Sequence, residues 1–165
     1  MQKETKVTRR TALSAGVAAV GSATALLSAS ESEKNLPWID AHSHIWTPDT
    51  SVFKLRPGMT AEDLAPRSFT AEELMATARP HGVGRVVLIQ HTLFHGFDNS
   101  YLIDAWEKHP NLFRVVGMVD DLRSNCGRAM KQLLKQGVTG FRITPRKGIT
   151  NWLETDGMQE MWKTA

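Results

Sequence analysis

Two kinds of segment alternate along this chain, and their alternation constrains its fold more than any single residue does. Arg85-Val86-Val87-Leu88-Ile89-Gln90 is a continuous apolar run rich in β-branched residues. Such runs form strands buried on both faces, as in parallel sheets. Phe113 to Val119, with Gly117 inside it, and Val138 to Ile143 have the same character. Ahead of them, Trp38 to His44 lies between Pro37 and Pro48 and fits a first strand. Helix signals fill the intervals. Thr70 followed by Glu73 is a capping box, opening a helix that runs towards Arg79 and stops at Pro80 and Gly82. Asp98 or Asn99 caps a second helix, which carries Leu102, Ile103 and Trp106 and ends before Pro110. A third spans about Gly127 to Gln136, with Met130, Leu133 and Leu134 as its apolar face and Gly137 where a C-terminal glycine belongs. A last helix begins at Asp156. Residues 47–69, with three prolines and Gly58, read as a long irregular loop. Strand, loop and helix in this order predict a parallel α/β sheet with right-handed crossovers.

Charge locates a separate segment at the start. The chain of 165 residues has a formal net charge of +3, from 20 Lys and Arg against 17 Asp and Glu. Lys3, Lys6, Arg9 and Arg10, against the single anion Glu4, fall within the first thirty residues, so 16 charges of each sign remain beyond them. That balance leaves no electrostatic case for nucleic acid. Residues 1–30 are basic first, then weakly apolar from Thr11 to Leu27, then small at Ser28, Ala29 and Ser30, which is the order of an export signal. Arg9-Arg10 after Thr8 resembles the twin-arginine type. The apolar stretch is too polar for a membrane span, so no membrane anchor is expected after signal removal, and localisation is expected to be periplasmic or extracellular. Residues 31–36 read as a linker, and the folded part as 37–165. Cys126 is the one cysteine, which excludes an internal disulfide framework and a Cys-rich zinc module.

The sharpest chemical pattern is Asp40-x-His42-x-His44. Alternate strand residues share a face, so the two imidazoles can chelate one divalent ion while Asp40 orients a ligand from behind. An isolated His-x-His also arises as satisfied or exposed histidines. Gln90 and His91 follow the second strand at the same C-terminal mouth, where α/β proteins place their sites, and are candidate substrate contacts, with an ordinary loop histidine as the alternative for His91. Arg142 is the one charge of the fourth strand, suited to a bidentate bond with a substrate carboxylate or to a structural ion pair. Asp120, Asp121 and the Arg146-Lys147 pair read as solvated turns. His95 lies in the loop after the second strand, and Trp46 beside the histidines is a pocket-lining candidate. The chain has neither a glycine-rich phosphate loop nor a Gly-x-Ser-x-Gly nucleophile elbow.

Trp38 to Trp46 resembles the opening strand of the amidohydrolase superfamily, in its amidohydrolase 2 branch. Gly82 to Gln90, Tyr101 to Pro110, Phe113 to Asp120 and Gly137 to Ile143 are similar to the elements that follow in that branch. The resemblance implies a (β/α)8 TIM barrel with its site at the C-terminal mouth of the strands. It implies His42 and His44 as ligands of a divalent metal, zinc or manganese, although some lactonases of the branch work without metal. A small-molecule substrate is implied, hydrolysed at a C–O or C–N bond as in a lactone, or decarboxylated without oxidation. The branch draws further histidines and a catalytic aspartate from strands five to eight. A whole barrel needs about 250 residues, so this chain is expected to be truncated after about four βα units. The general acid/base is then expected beyond Ala165, and the alternative is a non-catalytic or unstable half-barrel. The sequence does not determine an oligomeric state.

Overall fold

A computed structural model of the chain describes residues 36–165, so the expected export signal and all but the last residue of the expected linker lie outside the described residues. Residues 37–165 form one compact unit. Its four strands are β1 (Trp38–Ser43), β2 (Val83–Ile89), β3 (Phe113–Gly117) and β4 (Val138–Phe141). The helices are α1 (Ala71–Ala78), α2 (Ser100–Lys108), α3 (Cys126–Lys135) and α4 (Asp156–Thr164). All neighbouring strands pair in parallel, in the order β1-β2-β3-β4. The predicted element order is therefore present, and the sheet is open, with β1 and β4 at its edges.

Burial follows from the register. Val86 pairs with Phe113 and Leu88 with Val115, and all four side chains are fully buried, as is Val138 of β4. They pack with Leu74, Met75, Tyr101, Leu102 and Ala105 of the helices. Each such aliphatic side chain contributes about 1.5–3 kcal/mol by leaving water. The expectation of burial on both faces holds for one face alone. Val87, Ile89 and Val116 are only half-buried and Arg114 is exposed. The described four-stranded sheet does not close on itself, so the opposite face keeps contact with solvent.

Local signals account for the helix boundaries. At α1, Glu73 N–H donates to Thr70 Oγ1 at 3.2 Å and Thr70 N–H to Glu73 Oε2 at 2.6 Å, completing the capping box. Gly137 follows α3 with φ +92°, and a Cβ there would run into the Trp106 ring. Asp98 Oδ1 accepts from Ser100 N–H at 2.9 Å at the start of α2. Asn99 does not cap that helix. Its buried carboxamide donates to the carbonyls of Phe97 and Met118, both at 2.9 Å, and accepts from Met118 N–H at 2.8 Å. Gly117 makes room for it, because a Cβ would stand 2.9 Å from Asn99 Oδ1. Among the described residues no helix is long and apolar enough to cross a membrane.

Candidate active site

Three strands deliver the polar side chains that meet at the C-terminal edge of the sheet. His42 lies in β1 and His44 just beyond it, their ring centroids 5.0 Å apart and nearly perpendicular. His91 follows β2, with its ring centroid 4.4 Å from that of His44. Arg142 follows β4, its N–H donating to the Gly117 carbonyl at 2.8 Å. Its Nη1 stands 3.5 Å from both His44 Nε2 and the Gln90 carbonyl, the outer limit of hydrogen bonding.

The proton on His44 is assigned by its partner. Nδ1 lies 2.6 Å from the Ile89 carbonyl. A carbonyl only accepts, so Nδ1 carries the hydrogen and Nε2 presents a lone pair. Burial lowers the pKa of His44, and Arg142 and His42 lower it further against the Ile89 bond. Burial likewise lowers that of His91, with His44, Arg142 and His95 adding to the effect. Burial thus favours the neutral form of His44 and of His91 beside the Arg142 guanidinium.

Asp40 and Gln90 act differently from the sequence expectation. Asp40 Oδ1 accepts from His42 N–H at 2.8 Å and Oδ2 from Ser43 Oγ at 2.6 Å, so its carboxylate braces the backbone turn and no imidazole. Such i to i+2 bonds are the usual competitor of strand pairing for aspartate, and the register of β1 against β2 shifts between Asp40 and Ser43. Gln90 is buried, and its Nε2 donates to the carbonyls of Gly96 and Asp98 at 2.9 and 2.7 Å. Its carboxamide nitrogen is spent on shaping the loop before α2, and it is the main-chain carbonyl of Gln90 that faces Arg142. Among the described residues no group of three or more His, Cys, Asp or Glu side chains is arranged to hold a metal ion.

One wall of the site is aromatic. Trp46 packs against Phe69, Phe94 and His91, with centroids 5.6, 5.1 and 6.4 Å away, and its Nε1 donates to the Pro66 carbonyl at 2.9 Å. Trp46 and Phe69 also form a backbone bridge that closes the base of the 47–69 loop. Farther out, Arg56 N–H and Nε donate to the carbonyls of Phe94 and Leu93, each at 2.8 Å. Buried His95 donates from Nδ1 to the Lys54 carbonyl at 3.1 Å. The two loops are thereby fastened together, a tie that no local pattern announces.

Asp120, Asp121 and Arg146 are not solvated turns. Arg146 pairs with Asp120 at 3.0 Å and with Asp121, and its guanidinium lies 5.4 Å from the centre of the Phe97 ring. The group pins the segment after β4 to the end of β3. Cys126 is buried at the start of α3, and its single S–H is shared between the Gly157 carbonyl and Glu160 Oε2, with Sγ 3.2 and 3.3 Å from them. Burial and Glu160 push its thiol pKa up, the reverse of an activated nucleophile.

No family model matches the chain. A 4-sulfomuconolactone hydrolase of Rhizobium radiobacter is 30% identical over 124 residues, which are 74% of this chain and 39% of that protein. A probable 2-pyrone-4,6-dicarboxylic acid hydrolase of Acinetobacter baumannii, solved with citric acid bound, superposes with a TM-score of 0.58 at 21% identity, over 76% of this chain and 44% of its own. A Pseudomonas putida protein assigned the same activity superposes with a TM-score of 0.58 at 22% identity, over 76% of this chain and 43% of its own. The chain spans less than half the length of these relatives. Its four parallel strands and their helices share a partial TIM-barrel-like fold with these two solved structures.

Proposed function

We propose that this chain forms the strand-one-to-four portion of an exported hydrolase that opens a small cyclic ester bearing an anionic group. The observation that carries this reading is the convergence of His42, His44, His91 and Arg142 at one end of a parallel sheet. The similarity to a sulfomuconolactone hydrolase supports the substrate class. In this reading Arg142 takes the substrate carboxylate, Trp46 and Phe94 flank its ring, and His91 lies beside the reacting carbonyl.

The donor set fits a divalent ion as a partial site. His44 engages a carbonyl through Nδ1 and keeps Nε2 for a ligand, the arrangement usual for metal-bound histidine. His42 is its natural second ligand, with zinc or manganese as the ion, and the remaining ligands would come from outside the described residues. Such an ion, when bound, would acidify a water and polarise the ester carbonyl. The chain's own part is to keep the Nε2 lone pair of His44 presented and to fix the anion. A metal-independent lactonase is the second reading, favoured by the position of Arg142 against the same Nε2.

The test measures zinc and manganese content and lactone turnover for the complete protein and for His42→Ala/His44→Ala. Loss of bound metal together with turnover supports the metal reading. Turnover that depends on the histidines with no metal bound supports the second reading. Unchanged metal content and turnover in the double variant would overturn the assignment of both histidines.

A further inference from the structure

We infer that Arg142 guards the His44 nitrogen that a divalent ion would use, so that carboxylate binding and metal binding at this site reinforce each other. The inference rests on the reading of His42 and His44 as ligands. His44 Nδ1 is committed to the Ile89 carbonyl, which leaves the Nε2 lone pair as the only free donor of that ring. Arg142 Nη1 stands 3.5 Å from it. A guanidinium has five N–H donors, no acceptor, and a charge it keeps at any ordinary pH. It therefore covers the lone pair and repels a second cation at short range.

Arg142 is also poorly satisfied where it stands. Its polar side-chain contacts are two neutral acceptors at 3.5 Å, and among the described residues no carboxylate pairs with it, whereas Arg146 nearby has two. A substrate carboxylate offers the guanidinium a shorter, charge-assisted and bidentate partner. Engaging it draws the guanidinium off His44 and cancels its charge, and the lone pair becomes available. Linkage requires the converse: a bound ion tightens the carboxylate by the same factor. The substrate's anionic group thus completes the metal site as it binds.

Zinc affinity, read by competition with a chromogenic chelator, tests this without any measurement of turnover. It is measured with and without saturating benzoate, on protein whose circular dichroism spectrum is unaltered. Arg142→Gln is expected to tighten zinc at least about five-fold, the low end of ordinary coupling factors, and Arg142→Met serves if the glutamine variant does not fold. Benzoate is expected to tighten zinc on the unaltered protein by a similar factor and to leave the Arg142 variant unmoved. His44→Ala is expected to abolish both effects, which separates this site from zinc held elsewhere. Zinc binding that is insensitive to Arg142, or a benzoate effect that survives its replacement, would overturn the guard while leaving the ligand reading intact. Zinc bound by neither the unaltered protein nor the Arg142 variants would overturn both.

Discussion

Tyr101 is the chain's single tyrosine, and it is buried in the main core against Phe53, with ring centroids 4.9 Å apart. Burial pushes its hydroxyl up to about 12, and the charges of Glu72, Asp104 and Glu73 act in the same direction. A phenol whose pKa is higher folded than unfolded stabilises the fold below the unfolded value, near 10. That contribution fades as pH rises through the folded value. Because no second tyrosine overlaps, ultraviolet titration of the native protein should show tyrosinate forming near 12, and denaturant should return it to about 10. A native midpoint near 10 would contradict this burial. The same scale shows why single residues are hard to read from sequence. Asp40, two positions before His42, has the spacing of a residue that orients an imidazole, yet its carboxylate is taken by the nearest backbone N–H and hydroxyl. Short side chains satisfy themselves locally before they reach across a site.

Elements were more legible because their signals are local. The capping box at Thr70 and Glu73, the glycine after α3 and the apolar runs of β2 and β3 each depend on residues a few positions apart, and each forms as predicted. Gly137 combines two demands, a left-handed backbone and contact with Trp106. Gly148 has the same backbone, φ +82°, with nothing within 4 Å of a Cβ. Gly137→Ala is accordingly expected to cost about 1–3 kcal/mol beyond the backbone penalty, from overpacking against the ring. Gly148→Ala should cost only the backbone term, about 1 kcal/mol. Urea unfolding midpoints measure both, and equal losses would show that the Trp106 contact carries no energy. Asn99 illustrates the opposite case. Its sequence position suggests a cap, but a strand end 19 residues later competes for the same carboxamide and wins.

For the whole molecule, the proposal of export makes its own prediction. Replacing Arg9 and Arg10 by lysine preserves charge but removes the paired guanidinium groups, and the protein should then stay inside the producing cell. Cell fractionation decides it, and undiminished export of the variant would refute the twin-arginine reading. What the sequence determined alone was the order of strands and helices, their parallel pairing, and the end of the sheet at which polar residues gather. Those properties follow from periodicity, turn chemistry and handed crossovers, all readable within a few dozen residues. The tertiary structure decided which side chains meet. Arg142 comes to His44 across 98 residues, His91 packs at a tilt against the same imidazole, Gln90 turns away into its loop, and Arg146 closes on Asp120 and Asp121. Each outcome is set by strand register and by competition among polar groups for a limited number of partners. That competition is settled only when distant segments pack together, so no spacing along the chain can encode it.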